Sequence, residues 1–141
     1  MEQSMKIIQV VIGIVTNNND EILVVRKRTD IQENDKFLHG KWHMPGGKVN
    51  DDEDLESAVI REVFEETGMN VEVISLVAIK EELDRGIILN WYSCKTLSDS
   101  VVAGSDVSEA KFINKELMFD FCDPTIVDQW PREVRDLFTK S

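Results

Sequence analysis

Cysteine is scarce in this chain: Cys94 and Cys122 are the only two in 141 residues, they do not form a CxxC pair, and neither has a histidine at ligand spacing. That argues against a disulfide framework or a sulfur-ligated zinc site, and it predicts free thiols in the reducing cytoplasm. Positive charge is also short, 16 Lys and Arg against 27 Asp and Glu, for a formal net charge of -11. Binding a nucleic-acid polymer depends on clustered cations that release counterions, so that class of partner is disfavoured. A small phosphorylated ligand escorted by a metal remains compatible. Long apolar runs are missing as well: Val10 to Val15 with its neighbours is far too short to span a bilayer, and the N-terminus lacks a basic segment followed by an apolar core and a cleavage site. No membrane partner is expected. Without internal repeats, low-complexity segments or linkers, the chain reads as a single domain over residues 1–141, long enough to bury its own core.

The order of elements is legible. Ile7 to Val15 is a β-branched run, Asn17 to Asp20 a turn cluster, and Glu21 to Arg28 a second strand, which together predict a hairpin. Thr29 to Gly40 is polar and predicted to be a loop; Lys41 to Met44 is a short strand stopped by Pro45-Gly46-Gly47. A helix is expected from Asp54, with Asp51, Asp52 and Asp54 as candidate caps, to Thr67 before Gly68. Val71 to Glu82 and Ile87 to Lys95 predict a second hairpin turned at Asp84-Arg85-Gly86. A loop over Thr96 to Ser108, a short strand over Ala110 to Ile113, a turn or brief helix at Asn114 to Leu117 and a helix behind Pro131 complete the chain. The order β-β-β-α-β-β-β-α predicts an α/β fold of the α/β/α sandwich type, a mixed sheet flanked by helices.

The most informative stretch is Gly47 to Met69, which reads G-x5-E-x7-R-E-V-x-E-E-x-G-M. At about 100° per residue, Leu55, Val59, Ile60, Val63 and Phe64 fill one half of the helix and are predicted to face the sheet, while Glu62, Glu65 and Glu66 share an arc of about 100°. Like charges three or four apart on a helix cost roughly 0.2–0.5 kcal/mol per pair. A solvated acidic face is the ordinary explanation, but Pro45-Gly46-Gly47 can bring bare backbone to a ligand, Arg61 can orient carboxylates, and Glu53 returns from the loop. An all-oxygen cluster of this kind suits Mg²⁺ or Mn²⁺.

Gly47 through Met69 resembles the signature of the Nudix hydrolases at every specified position. Upstream, Gln9 to Val15, Asn19 to Leu23, Arg26 to Arg28 and Trp42 to Lys48 resemble its MutT-like branch. The resemblance implies hydrolysis of nucleoside diphosphates linked to another moiety. It implies that Glu65, Glu66 and the carbonyl of Gly46 bind metal, that Glu62 is a ligand or the base that activates water, and that Arg61 and Glu53 orient them. A further glutamate often comes from a loop outside the signature in that family, and Glu109 is the candidate. The resemblance also allows a homodimer, for which no residue of the sequence speaks.

Substrate choice lies outside the signature. ADP-ribose-cleaving members tend to carry a proline about fifteen residues beyond it and diadenosine-polyphosphate members a tyrosine; here Asp84 and Arg85 stand in that neighbourhood. A coenzyme A-cleaving relative would show an arginine where Lys36 stands, a turn before Gly40. The resemblance therefore favours a nucleoside triphosphate, oxidised ones such as 8-oxo-dGTP included, cleaved to monophosphate and pyrophosphate. The alternatives are ADP-ribose or a nucleoside diphosphate sugar, and a non-catalytic nucleotide-binding module. Arg26, Arg28, Gly47 and Lys48 are candidates to contact the substrate; Trp91, Tyr92, Phe119, Phe121 or Trp130 could stack on a base and Asp120 or Asp123 read its edge, although such aromatics are commonly core. His39 and His43 lie four apart on a loop and a strand, so packing or surface roles are expected of them.

Overall fold

A computed structural model describes residues 6–30, 37–98, 100–104 and 106–139. The β-branched N-terminal run forms β1 (Ile8–Thr16), turned at Asn17 to Asp20 into β2 (Glu21–Lys27). Two short strands follow, β3 (Trp42–His43) and β4 (Gly46–Lys48), then β5 (Val71–Glu82), β6 (Ile87–Thr96) and β7 (Val107–Asn114). β1 runs parallel to β6 along its whole length and antiparallel to β4, where Val10 to Ile12 meet Lys48 to Gly46. β2 lies between β3 and β7, and β6 pairs with β5 at the far edge. The sheet is therefore mixed.

Successive residues of a strand point to opposite faces, and here each face has its own core. Val11 and Val15 of β1, Leu23 of β2, and Tyr92 and Cys94 of β6 pack under α1 (Leu55–Thr67). Ile12 and Ile14, Ile22 and Val24, and Leu89 and Trp91 pack on the other face against α2 (Met118–Phe121), α3 (Pro124–Val127) and α4 (Arg132–Phe138) through Met118, Ile126, Val127, Val134 and Phe138. This is the α/β/α sandwich that the element order implies. Among the described residues no helix is long and apolar enough to cross a membrane.

α1 begins where expected: the Asp54 carboxylate accepts the Ser57 N–H at 2.7 Å, and Gly68 closes the helix in the left-handed conformation with its N–H on the Phe64 carbonyl. Its rotation about its own axis differs from the prediction. Ile60 and Phe64, expected against the sheet, are 40% and 53% exposed, whereas Glu66 is 3% exposed. Measured from Leu55 at 100° per residue, Val59, Val63 and Glu66 sit at about 40°, 80° and 20°. The buried arc is thus centred close to a carboxylate and leaves two large apolar side chains outside it.

Pro45-Gly46-Gly47 is not only a strand stop, because Gly46 and Gly47 belong to β4. β7 starts at Val107, three residues before the expected Ala110, and α2 and α3 lie in a stretch with no helix forecast. The coenzyme A marker position Lys36 and part of the Thr29 to Gly40 loop lie outside the described residues.

Candidate active site

The site forms where β4 meets α1. The Gly46 N–H donates to Glu66 Oε1 at 2.9 Å, so it is the amide of Gly46 that is seen against this carboxylate. A Cβ on Gly46 would lie 2.1 Å from the Val11 carbonyl oxygen, and one on Gly47 would lie 2.6 Å from the Glu62 carboxyl carbon. Only bare backbone lets β4 lie this close to β1 at Gly46 and to the Glu62 carboxylate at Gly47.

Arg61 organises the acids around it. Its Nε and Nη2 grip Glu53 at 2.8 and 2.9 Å, Nη2 also donates to the Lys48 carbonyl, and Nη1 reaches Glu62 Oε1 at 2.8 Å and Glu65 at 3.2 Å. The hydrogen bonds from Arg61, aided by the Asn50 N–H, hold the Glu53 carboxyl below the usual carboxylate range. Hydrogen bonds to Glu53 first, then Glu62 and Glu65, raise the guanidinium above its ordinary range against the effect of burial.

Glu62 and Glu66 are shifted the other way. Burial raises the Glu62 carboxyl, opposed by Arg61 and reinforced by the charges of Glu65 and Asp106. Burial also pushes Glu66 well above the ordinary range, with Asp106 and Glu62 adding to it and the Gly46 N–H and Lys27 opposing. Glu66 makes no ion pair among the described residues, so a carboxylate that is almost fully buried is compensated by one hydrogen bond. A buried carboxylate in that condition is relieved by a proton or by a cation. The donors are all oxygen, which fits a hard divalent ion. Among the described residues no three acidic, histidine or cysteine side chains yet stand together at ligating distances, since Arg61 draws Glu62 and Glu65 toward itself.

Asp106 and Lys27 were not singled out from sequence. Lys27 Nζ meets Asp106 Oδ2 at 2.6 Å, with side chains 12% and 33% exposed, beside Glu66. Glu109, the acid expected to join the glutamates, does not: it pairs with Arg26 at 3.5 Å on the surface. The register explains why. Arg26 faces Glu109 across β2 and β7, whereas Lys27 is next to it in β2 and faces Val107, so the two cations point to opposite sides of the sheet. The signal that could have found Asp106 was the rule applied to Glu109, an acid just ahead of a strand, had the strand been started at Val107.

Arg26, Lys27 and Arg28 line an open cavity of about 350 Å³ with Asp30, Gly40 and Ser108. Arg26 donates to the Gly40 carbonyl at 3.2 Å, and Arg28 grips Asp30 through two nitrogens at 2.8 and 2.7 Å. The structure does not bring the remaining candidates to this place. Trp91 is 2% exposed inside the core that α4 also joins, Tyr92 is buried under α1, and Phe119 and Trp130 meet Phe138 edge-on and tilted. Asp123 caps α3 by accepting from the Thr125 N–H and hydroxyl at 3.0 and 2.6 Å, the hydroxyl contributing most to lowering its carboxyl. Asp120 is exposed on α2, and Phe121 packs against Trp42. Lys48 is exposed and contributes its carbonyl to Arg61. His43 is a packing residue, as expected: it is buried, with Nδ1 on the Met44 carbonyl at 2.7 Å.

A family model for the NUDIX domain matches residues 6–136. Among curated proteins, the chain is 35% identical over 85 residues to a MutT-like protein of Streptomyces ambofaciens, covering 60% of this chain and 49% of that one. It is 38% identical to an 8-oxo-dGTP diphosphatase of Escherichia coli, covering 51% and 52%, and 32% identical to an ADP-ribose pyrophosphatase of Methanocaldococcus jannaschii, covering 72% and 59%. The matches thus span about half the length of these relatives. Among solved structures, a MutT protein from Methanosarcina mazei superposes with a TM-score of 0.69 at 27% identity, covering 97% of this chain and 94% of that one.

Proposed function

The chain belongs to the NUDIX domain family, and from that premise we propose that it is a Mg²⁺- or Mn²⁺-dependent hydrolase of nucleoside triphosphates, releasing monophosphate and pyrophosphate. The observation that carries the reading is Glu66: a carboxylate near the middle of the buried arc of α1, with Glu62 and Asp106 beside it and no cation paired to it among the described residues. A helix that turns a glutamate inward and leaves Phe64 outside is giving up burial for chemistry.

When bound, a divalent ion in such a site supplies charge neutralisation of a polyphosphate and a more acidic water. The chain's own residues do the rest. Glu66, Glu65 and Glu62 are the acids that would hold the ion, and Glu62, whose proton affinity is raised by burial, is also fit to take a proton from the attacking water. Arg61 and Glu53 are positioning residues that fix the carboxylates by paired hydrogen bonds. Asp106 takes the place foreseen for Glu109. Arg26 and Arg28 line the cationic cavity that would receive phosphate oxygens. One water adds across the α–β phosphate bridge, the bridging P–O bond breaks, and pyrophosphate leaves.

The MutT-like relatives support the triphosphate. The archaeal ADP-ribose pyrophosphatase, matched over 72% of this chain, favours a second reading in which a nucleoside diphosphate sugar is cleaved to a sugar phosphate. A substrate panel with Mg²⁺ or Mn²⁺, scored for pyrophosphate by coupled pyrophosphatase and for sugar phosphate by product analysis, separates them. Pyrophosphate from normal or oxidised triphosphates supports the first reading; sugar phosphate alone supports the second. No turnover of either class would defeat both.

A further inference from the structure

We propose that the backbone at Gly104 clasps the end of α1 and that Gly104 is a positioning residue, setting Asp106 beside the glutamates so that the site takes up a divalent cation. The proposal rests on the cation reading above and goes beyond it in assigning work to a residue that touches neither ion nor substrate.

A helix ends with carbonyls that have no partner of their own. In α1 the Phe64 carbonyl accepts from Gly68, but the next donors come from the distant connection between β6 and β7: Gly104 N–H on the Glu66 carbonyl at 2.8 Å and Val102 N–H on the Thr67 carbonyl at 2.9 Å. Gly104 is wedged against the helix backbone. A Cβ there would stand 1.8 Å from the Glu65 carbonyl oxygen and 2.8 and 3.0 Å from the carbonyl carbons of Glu65 and Glu66. These are backbone atoms that cannot swing aside, so any side chain at this position must lift the segment off the helix.

Asp106 and Val107 are held as well. Val107 N–H returns to the Gly104 carbonyl at 3.2 Å, the Asp106 carbonyl accepts from Arg28 N–H at 2.9 Å, and the Asp106 carboxylate is held by Lys27 at 2.6 Å. A helix end can be satisfied by any N–H or by water. What the close approach adds is an aspartate two residues later, its carboxylate held by Lys27 and carried next to the backbone that bonds the Glu66 carbonyl. Carboxylates left to themselves would separate, and a site is effective only when the groups supporting it remove that freedom beforehand.

The test is Mn²⁺ titrated into metal-free protein, followed by calorimetry or by the resonance of the free ion. Gly104→Ala is expected to bind Mn²⁺ about 10–100-fold more weakly, the usual cost of losing an outer-shell support. In an Asp106→Asn background the same change is expected to make no further difference. Wild-type affinity in Gly104→Ala, or an equal loss in the Asp106→Asn background, would overturn the proposal. A second measurement does not depend on the folding of Gly104→Ala: adding Mg²⁺ is expected to slow hydrogen exchange at the Gly104 amide in the wild type and not in Asp106→Asn, and equal protection in both would overturn it too. Failure of the wild type to bind Mn²⁺ at all would bring down the cation reading itself, and is recognised without any variant.

Discussion

Glu66→Gln should make the metal-free protein more stable while nearly abolishing its activity. The substitution keeps the Oε1 acceptor that receives the Gly46 N–H at 2.9 Å and changes the side-chain volume little. It removes a charge that is 3% exposed and opposed by Glu62 and Asp106. Burying a charge without a partner costs several kcal/mol, and relaxation recovers part of it, so a gain of about 1–3 kcal/mol is expected in chelator at a pH above the raised value, where the wild type carries the charge. For a chain of this size that corresponds to a rise of roughly 4–10 °C in Tm. The pH dependence follows from the same cause. Because the folded-state carboxyl of Glu66 is raised, the native wild type binds the extra proton, and its stability falls as pH climbs from the ordinary glutamate range through the raised value. That loss should vanish in Glu66→Gln. Divalent cation should then reverse the ranking, because it stabilises the wild type by about 2.7 kcal/mol at one hundred times Kd and the variant far less. Differential scanning calorimetry with and without chelator, beside a turnover assay, measures all of this. A Glu66→Gln protein that melts in chelator at or below the wild-type temperature would refute the idea that this carboxylate is held at a cost for the sake of a cation.

The strands and α1 could be read from sequence because their signals are local. Ile8 to Thr16 and Ile87 to Thr96 are runs rich in β-branched or aromatic residues, and α1 is bracketed by Asp54 and Gly68. The signature also placed Glu53, Arg61, Glu62 and Glu66 in one neighbourhood, because they are linked by one loop and one helix. Two things could not be read. The rotation of α1 followed the apolar count, which put Phe64 inward, and the inward turn of Glu66 shows only against β4. The second is pairing across distance: Lys27 with Asp106 and Arg26 with Glu109 are separated along the chain and decided by a register in which one residue's shift exchanges the two faces of the sheet. Aromatic residues misled for a related reason, since Trp91 on β6 could be assigned to core or ligand only after the faces were known.

Gly47→Ala would set a methyl 2.6 Å from the Glu62 carboxyl carbon, which can swing away, so stability should change by less than about 1 kcal/mol while kcat falls at least tenfold; denaturant melts and kinetics together check this. Trp91→Phe should lower Tm through the void left in the α4-side core and leave KM within about twofold, whereas a large rise in KM would return Trp91 to the substrate. His43 makes the last case, and its sign differs from that of Glu66. Burial lowers its pKa to about 4 from 6.5, and its Nε2 has no hydrogen-bond partner among the described residues, so the native protein keeps the ring neutral where the unfolded chain would protonate it. The resulting stability is fully present above pH 6.5, and it drains away as pH falls toward 4, because there the unfolded state binds the extra proton. The shift amounts to roughly 3 kcal/mol. Urea unfolding of the wild type and His43→Phe should therefore diverge in slope across that window and run parallel above it; parallel curves throughout would mean that the imidazole is protonated in the fold.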